Sequence, residues 1–170
     1  MSRSEALRRY RASLLVFIIG LVFSGLTAFP LLSEMRLLCS VLGISPEAAP
    51  DAYAGLRFWI ATVHLGLARS YEAFPWLAYG TDWLAFAHIV LAIVFWGPIK
   101  DPVKNIWVIQ FGLIACVLVI PLALIAGQVR GIPFGWRLID CSFGVFGLLP
   151  LGYALQLTKR LQSADSPHTT

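Results

Sequence analysis

Charged residues are scarce in this chain. Of its 170 residues, 13% are charged and 58% are hydrophobic, and the mean hydropathy is +0.77. An ordinary soluble domain carries roughly 25% charged residues. The composition therefore excludes a soluble globular fold and predicts a chain whose surface meets lipid.

Cysteines are also few, and they form no recognisable motif. Cys39, Cys116 and Cys141 contain no C-x-x-C pair, and their odd number excludes a fully paired disulfide framework within one chain. Their spacing with the histidines lacks a metal-ligand knuckle, so the thiols are predicted to be structural and no metal site is predicted. No catalytic or cofactor motif stands out, so the sequence decides neither whether the protein is an enzyme nor which cofactor it would use.

Long apolar runs are what the chain has instead. The hydrocarbon core of a bilayer is about 30 Å thick, which one helix crosses with roughly 20 residues. Four runs fit one crossing each, so the predicted fold is all-α, a polytopic four-transmembrane-helix bundle forming a single integral membrane domain over residues 1–170. The predicted spans are residues 14–32, 79–99, 106–126 and 138–157.

Basic residues lie unevenly about these spans. Before span one, between spans two and three, and after span four there are eight of them, against five in the other segments. Because cytoplasmic segments carry the excess of Lys and Arg, the tails at residues 1–12 and 158–170 are predicted to be cytoplasmic. An uncleaved first span and no organellar presequence favour a bacterial cytoplasmic membrane. The eight are Arg3, Arg8, Arg9, Arg11, Lys100, Lys104, Lys159 and Arg160, and the five are Arg36, Arg57, Arg69, Arg130 and Arg137.

The connection at residues 33–78 is the one long segment between spans. Within residues 51–69, apolar residues recur at helical spacing on one face and polar residues share another. We interpret this segment as an amphipathic helix of an extracytoplasmic cap between spans one and two. The alternative, a fifth span, would place Lys100 and Lys104 outside and weaken the charge asymmetry.

Two acids and two arginines lie near the outer ends of the predicted spans. Asp82 opens span two, Arg137 and Asp140 share a face at the start of span four, and Arg130 lies in the turn before it. Charges at membrane depth mark binding sites by default, so these residues predict a polar pocket open to the outside. The structural alternative is that both acids interact with the N–H groups and dipoles of their own helices.

His88 is the deepest ionisable residue, about 14 Å inward from Tyr79. It completes the candidate ligand-binding set of Asp82, His88, Arg130, Arg137 and Asp140. Two alternatives stay open. The imidazole could be a neutral group satisfied by a carbonyl or hydroxyl of a neighbouring helix. It could also join His64 as the axial pair of a b-type haem, since bis-imidazole ligation needs two facing histidines.

Three functions follow from this set of residues. The first is binding of a small lipophilic molecule with a polar head group in an outward-facing pocket. The second is a non-enzymatic accessory subunit, whose small residues such as Gly144 would contact a larger membrane complex. The third is a haem electron carrier using His64 and His88. The expected partners are the lipid bilayer, a small lipophilic ligand, and a second copy or a larger complex. Nucleic acid is not expected, because the basic residues sit at span ends.

Overall fold

The computed structural model describes the backbone of residues 2–165 and the side chains of residues 2–163. Of the described residues 85% are helical, and no strand occurs among them. The end of the predicted C-terminal tail, residues 166–170 with His168, lies outside them. The helices are α1 (Arg3–Ala28), α2 (Leu31–Val41), α3 (Gly55–Ala73), α4 (Ala78–Val94), α5 (Trp96–Lys100), α6 (Ile106–Val129) and α7 (Phe134–Asp165), and short 3-10 turns at Pro50–Ala52 and Pro75–Leu77 precede α3 and α4.

Four helical segments in the described chain are long and apolar enough to cross a membrane, and they overlap the four predicted spans. In their most apolar stretches only 11–28% of the residues are buried inside the protein, as is compatible with helices that cross a membrane. The all-helical class and the four apolar helices are thereby confirmed. The 19-residue α3 is not among the four. The segments are Arg3–Ala28, Pro75–Lys100, Ile106–Val129 and Phe134–Ser163.

The ends of the first and last helices differ from the prediction. An unbroken first span to residue 32 is wrong, because α1 ends at Ala28 and α2 begins at Leu31. Pro30 lies in the turn between them, and its ring and missing N–H prevent a continuous helix. The segments 3–12 and 158–165, predicted as tails, instead continue α1 and α7 as helix.

A compact turn connects α5 to α6. The helix breaks between α4 and α5 at Phe95, and Pro98 lies three residues beyond the break. A proline within a helix removes one hydrogen bond and disfavours a straight helix. Asn105 occupies the N-cap position of α6 but makes no side-chain cap bond there. Its amide instead donates to the carbonyls of Gly97 at 3.2 Å and Asp101 at 3.0 Å, closing the end of α5. The carboxylate of Asp101 accepts from the Lys104 N–H at 3.0 Å.

The chain divides into two compact units, the first of which comprises Met1–Leu21 and Leu91–Thr170. Its apolar core draws on the first half of α1 and on α6 and α7. The fully buried Tyr10 donates its O–H to the Pro98 carbonyl at 3.1 Å, and Ser13 donates to the Pro150 carbonyl at 2.8 Å. The core residues are Ala6, Tyr10, Leu14, Phe95, Val108, Ile109, Cys116, Leu151, Ala154, Leu157 and Leu161.

The second unit comprises Val22–Val90. In it α2 packs against α3, burying Met35 and Cys39 on α2 and Ile60 and Ala61 on α3. A separate close contact joins the end of α1 to α4, where a Cβ on Gly25 would lie 2.9 Å from the Ala85 carbonyl oxygen. Small residues of this kind let membrane helices approach closely.

A glycine ends α2 within this unit. Gly43 has φ of +63°, and its N–H donates to the Ser40 carbonyl while the next N–H, of Ile44, donates to the Cys39 carbonyl. This is the Schellman arrangement, in which a left-handed residue closes a helix. Arg57 of α3 then donates to the Gly43 carbonyl at 2.6 Å, which ties the start of α3 to the end of α2.

Candidate functional site

Arg137 lies in the first turn of α7 and is half-buried. Its aliphatic stem crosses Gly127 of α6, where an added Cβ would come within 2.6 Å of the arginine Cδ. Its Nη1 donates to the Leu124 carbonyl at 3.2 Å, and its Cζ lies 5.3 Å from the centroid of the Phe134 ring. The Nε–H is buried and has no hydrogen-bond acceptor among the described residues.

No carboxylate neutralises this arginine within the described chain. Asp140 follows Arg137 by one helical turn, yet the two form no ion pair, and the Asp140 carboxylate makes no hydrogen bond to any described residue. An unpaired charge at membrane depth is unfavourable because lipid and protein solvate it poorly. Arg137 is therefore a half-buried cation whose carbonyl and aromatic contacts leave its charge uncompensated.

Arg130 closes the other side of the same turn. It is exposed at the end of α6, and its side chain has no partner among residues 2–163. Gly131, with φ of +70°, follows it and reverses the chain, with the Ile132 N–H donating to the Gly127 carbonyl at 2.9 Å. The glycine-rich turn thus places two arginines and one acid, Asp140, in one short stretch of the first unit.

Sequence periodicity puts Arg137, Cys141 and Gly144 on one face of α7, and that face packs against α6. The Cys141 thiol donates to the Ile120 carbonyl at 3.8 Å, and Gly144 lies against the carbonyl of Cys116. Together with the Arg137 bond to Leu124, these contacts meet α6 carbonyls on three successive turns. Arg137, Cys141 and Gly144 thus form mainly a packing surface, whereas Asp140, which the same periodicity places on this face, takes no part in these contacts.

Asp82 and His88 belong to the second unit. Asp82 lies on the second turn of α4 and is half-buried, and its carboxylate makes no hydrogen bond or ion pair to any described residue. The Nδ1 of His88 lies 2.8 Å from the Leu84 carbonyl, four residues earlier on the same helix. The Leu84 carbonyl can therefore accept a hydrogen bond from a neutral His88 imidazole on the same helix. The alternative drawn from the sequence placed this acceptor on a neighbouring helix.

His64, the other histidine of the haem hypothesis, lies on α3. Its Nε2 is buried without a hydrogen-bond partner in the described chain, and so is the Nε1 of Trp59. The described residues contain no cluster of three or more His, Cys, Asp and Glu side chains that could hold a metal ion. The pairing of His64 with His88 stays a prediction.

The three cysteines are unpaired and buried. Burial raises the pKa of the Cys39 thiol above its ordinary value, which lowers the fraction of reactive thiolate at neutral pH. This environment is typical of a structural thiol.

A shallow cavity lies at a place that sequence reasoning did not consider as a site. It has a volume of about 480 Å³ and follows one face of α1 near its start. Two arginines of this stretch, Arg8 and Arg11, count in the sequence only as topology signals. The lining residues follow the i, i+3, i+4, i+7 spacing of one helix face. This spacing could have identified, from the sequence, a single face that carries two arginines and several apolar residues. The lining residues are Ser4, Leu7, Arg8, Arg11, Ala12 and Leu15.

The fold and these sites define a class: an all-helical protein with four apolar helices compatible with insertion into a membrane. No family model, curated protein or solved structure matches the chain. Its function is therefore argued from its own residues.

Proposed function

We propose that the protein is an integral membrane protein that binds a small lipophilic molecule through an anionic head group at the turn between α6 and α7. The observation that carries the proposal is the state of Arg137, a half-buried guanidinium with an Nε–H that lacks an acceptor and no carboxylate partner in the described chain. An anionic ligand supplies both the missing acceptor and the missing charge.

The guanidinium is oriented for this role by its existing contacts. Nη1 is engaged by the Leu124 carbonyl, and the stem is held between Gly127 and Phe134. Nε and Nη2 form the opposite edge of the planar group, which matches two oxygens of a carboxylate or phosphate. Because the arginine is already ordered, little side-chain entropy is lost when an anion binds.

The neighbouring charges define the rest of the proposed site. The Arg130 side chain has no partner among the described residues and is exposed, so it is free to contact the outer part of the head group. Asp140 would disfavour a second negative charge, which restricts the site to small or singly charged groups. The ligand-binding roles of Asp82 and His88 stay predictions.

For orientation, we propose that both termini face the cytoplasm and that α2 and α3 form a cap on the opposite side. Two observations support this. The basic residues are more frequent in the segments assigned to the inside, and α3 is not among the four helices apolar enough to cross. The bacterial cytoplasmic membrane stays a prediction.

Native mass spectrometry of the protein purified in detergent tests the binding proposal. We expect an adduct of small-molecule mass on the unmodified protein and about 10- to 100-fold weaker retention in Arg137→Gln, which loses a charge-assisted pair of hydrogen bonds. Arg137→Lys keeps the charge without the planar fork and should fall between the two. Arg36→Gln removes one charge from an exposed position on α2 and should retain the adduct.

Three results would contradict the proposal. Equal retention in Arg137→Gln and Arg36→Gln would show that the arginine does not hold the ligand. A protein that carries no small-molecule adduct but purifies with a stoichiometric protein partner would favour the accessory subunit. A Soret band in the absorption spectrum of the same sample would favour haem at His64 and His88.

A further inference from the structure

The first turns of α1 have two opposite faces. One face carries Ala6, Tyr10 and Leu14, which are buried in the core of the first unit. The other lines the shallow cavity of about 480 Å³ and presents Arg8 and Arg11, one helical turn apart. The buried face anchors the helix, so the cavity face is held in a fixed orientation.

The two arginines of the cavity are unpaired within the described chain, unlike their neighbours. Arg9 makes an ion pair with Glu5 at 2.7 Å, and Arg3 also has a partner. The side chains of Arg8 and Arg11 are exposed and make no hydrogen bond or ion pair with any described residue. Two such guanidinium groups on one face can both donate to a phosphate.

The polarity of the cavity changes along the helix. Ser4, Arg8 and Arg11 lie in the first part of the cavity face together with Leu7, whereas Ala12 directly follows Arg11 and Leu15 lies one turn beyond it. Leu15 is 41% exposed, so the apolar end of the cavity is open at the surface. A phospholipid has the same order of polarity, with a charged head group followed by an acyl chain. A free anion would occupy the arginine end of the cavity and leave its apolar end empty.

We propose that this cavity binds one anionic phospholipid from the leaflet in which α1 begins. The phosphate lies between Arg8 and Arg11, and an acyl chain follows the helix past Ala12 and Leu15. This inference does not depend on the Arg137 site.

The test is native mass spectrometry of the delipidated full-length protein titrated with phosphatidylglycerol. We expect one tightly bound phosphatidylglycerol and no comparable binding of phosphatidylcholine, which has no net charge. Each arginine near a charged lipid surface strengthens binding by a factor of about five. We therefore expect Arg8→Gln/Arg11→Gln to bind phosphatidylglycerol about 30-fold more weakly. The matched control is Lys159→Gln/Arg160→Gln, which removes two charges from exposed positions on α7 and should stay within about twofold of the unmodified protein.

Each other outcome overturns the inference. Equal weakening in both double variants would assign the effect to overall charge, and no weakening in Arg8→Gln/Arg11→Gln would exclude the cavity. Displacement of phosphatidylglycerol by an equal concentration of inorganic phosphate would indicate a simple anion site. A further variant, Leu15→Ser, keeps both charges and should weaken phospholipid binding through the acyl chain, so unchanged binding in it contradicts the proposed position of the lipid.

Discussion

Gly144→Ala is expected to destabilise the protein by about 1–3 kcal/mol, the usual cost of overpacking a close contact. A Cβ at this position would overlap the carbonyl oxygen of Cys116 and lie 2.5 Å from Cγ1 of Val119. The carbonyl belongs to the α6 backbone and cannot rotate away as a side chain can. Helices in lipid are held together mainly by packing, so moving α7 away from α6 forfeits the contacts that join them.

Gly152→Ala is the matched control on the same helix. No atom lies within 4 Å of the Cβ that would be added there, so the variant should be as stable as the unmodified protein or slightly more stable, because alanine favours helix over glycine. The measurement is the apparent melting temperature in detergent, followed as the fraction of monodisperse protein after heating. If the two variants melt at the same temperature, the close α6–α7 contact is wrong.

Tyr10→Ala should destabilise the protein still more, by about 3–5 kcal/mol, as expected when a large buried ring is removed. Tyr10 is fully buried, and its O–H is donated to the carbonyl of Pro98. The variant leaves a cavity in the core and an unsatisfied carbonyl beside it. Tyr10→Phe keeps the ring and loses only the hydrogen bond, so it should cost about 1 kcal/mol.

Phe23→Ala is the control for Tyr10→Ala. Phe23 is also on α1 but is 69% exposed, and in a membrane its ring would contact lipid in both the folded and the unfolded states. Its loss should change stability by less than about 0.5 kcal/mol. Unfolding by a denaturing detergent, followed by circular dichroism, would measure all three variants. A Tyr10→Ala variant no less stable than Phe23→Ala would contradict the core described here.

The membrane-spanning class could be predicted from the sequence because it depends on local properties, namely the length and hydropathy of continuous runs. The end of the first helix could not be placed by hydropathy, since Leu31 and Leu32 are as apolar as the span before them. Pro30 was the local signal, and its steric effect prevailed over the apolar pattern. Asn105 is a second example, because it occupies the N-cap position of α6 but its amide closes the end of α5.

The candidate site could be predicted only as a set of residues. The sequence places Arg137 and Asp140 one turn apart, which suggests a shared polar pocket, but the arginine stem lies on Gly127 and its Nη1 donates to the Leu124 carbonyl. Those contacts come from the packing of α6 against α7, which the periodicity of one helix does not show. The cavity on α1 was missed for a different reason: its arginines already had an explanation in the orientation of the chain.

The proposed orientation, with four crossings, places the start of α1 and the α6–α7 turn on opposite sides of the membrane. Labelling with a membrane-impermeant thiol reagent tests this in intact cells, using single cysteines at Lys104 and Arg130 in a variant without the three native cysteines. Both positions are exposed, and labelling after permeabilisation controls for access.

With four crossings, Arg130→Cys is labelled in intact cells and Lys104→Cys reacts only after permeabilisation. If α3 crosses as a fifth span, the pattern reverses, with Lys104→Cys labelled from outside and Arg130→Cys protected. We expect the first pattern. The second would place the start of α1 and the α6–α7 turn on the same side of the membrane and would contradict the four-crossing orientation.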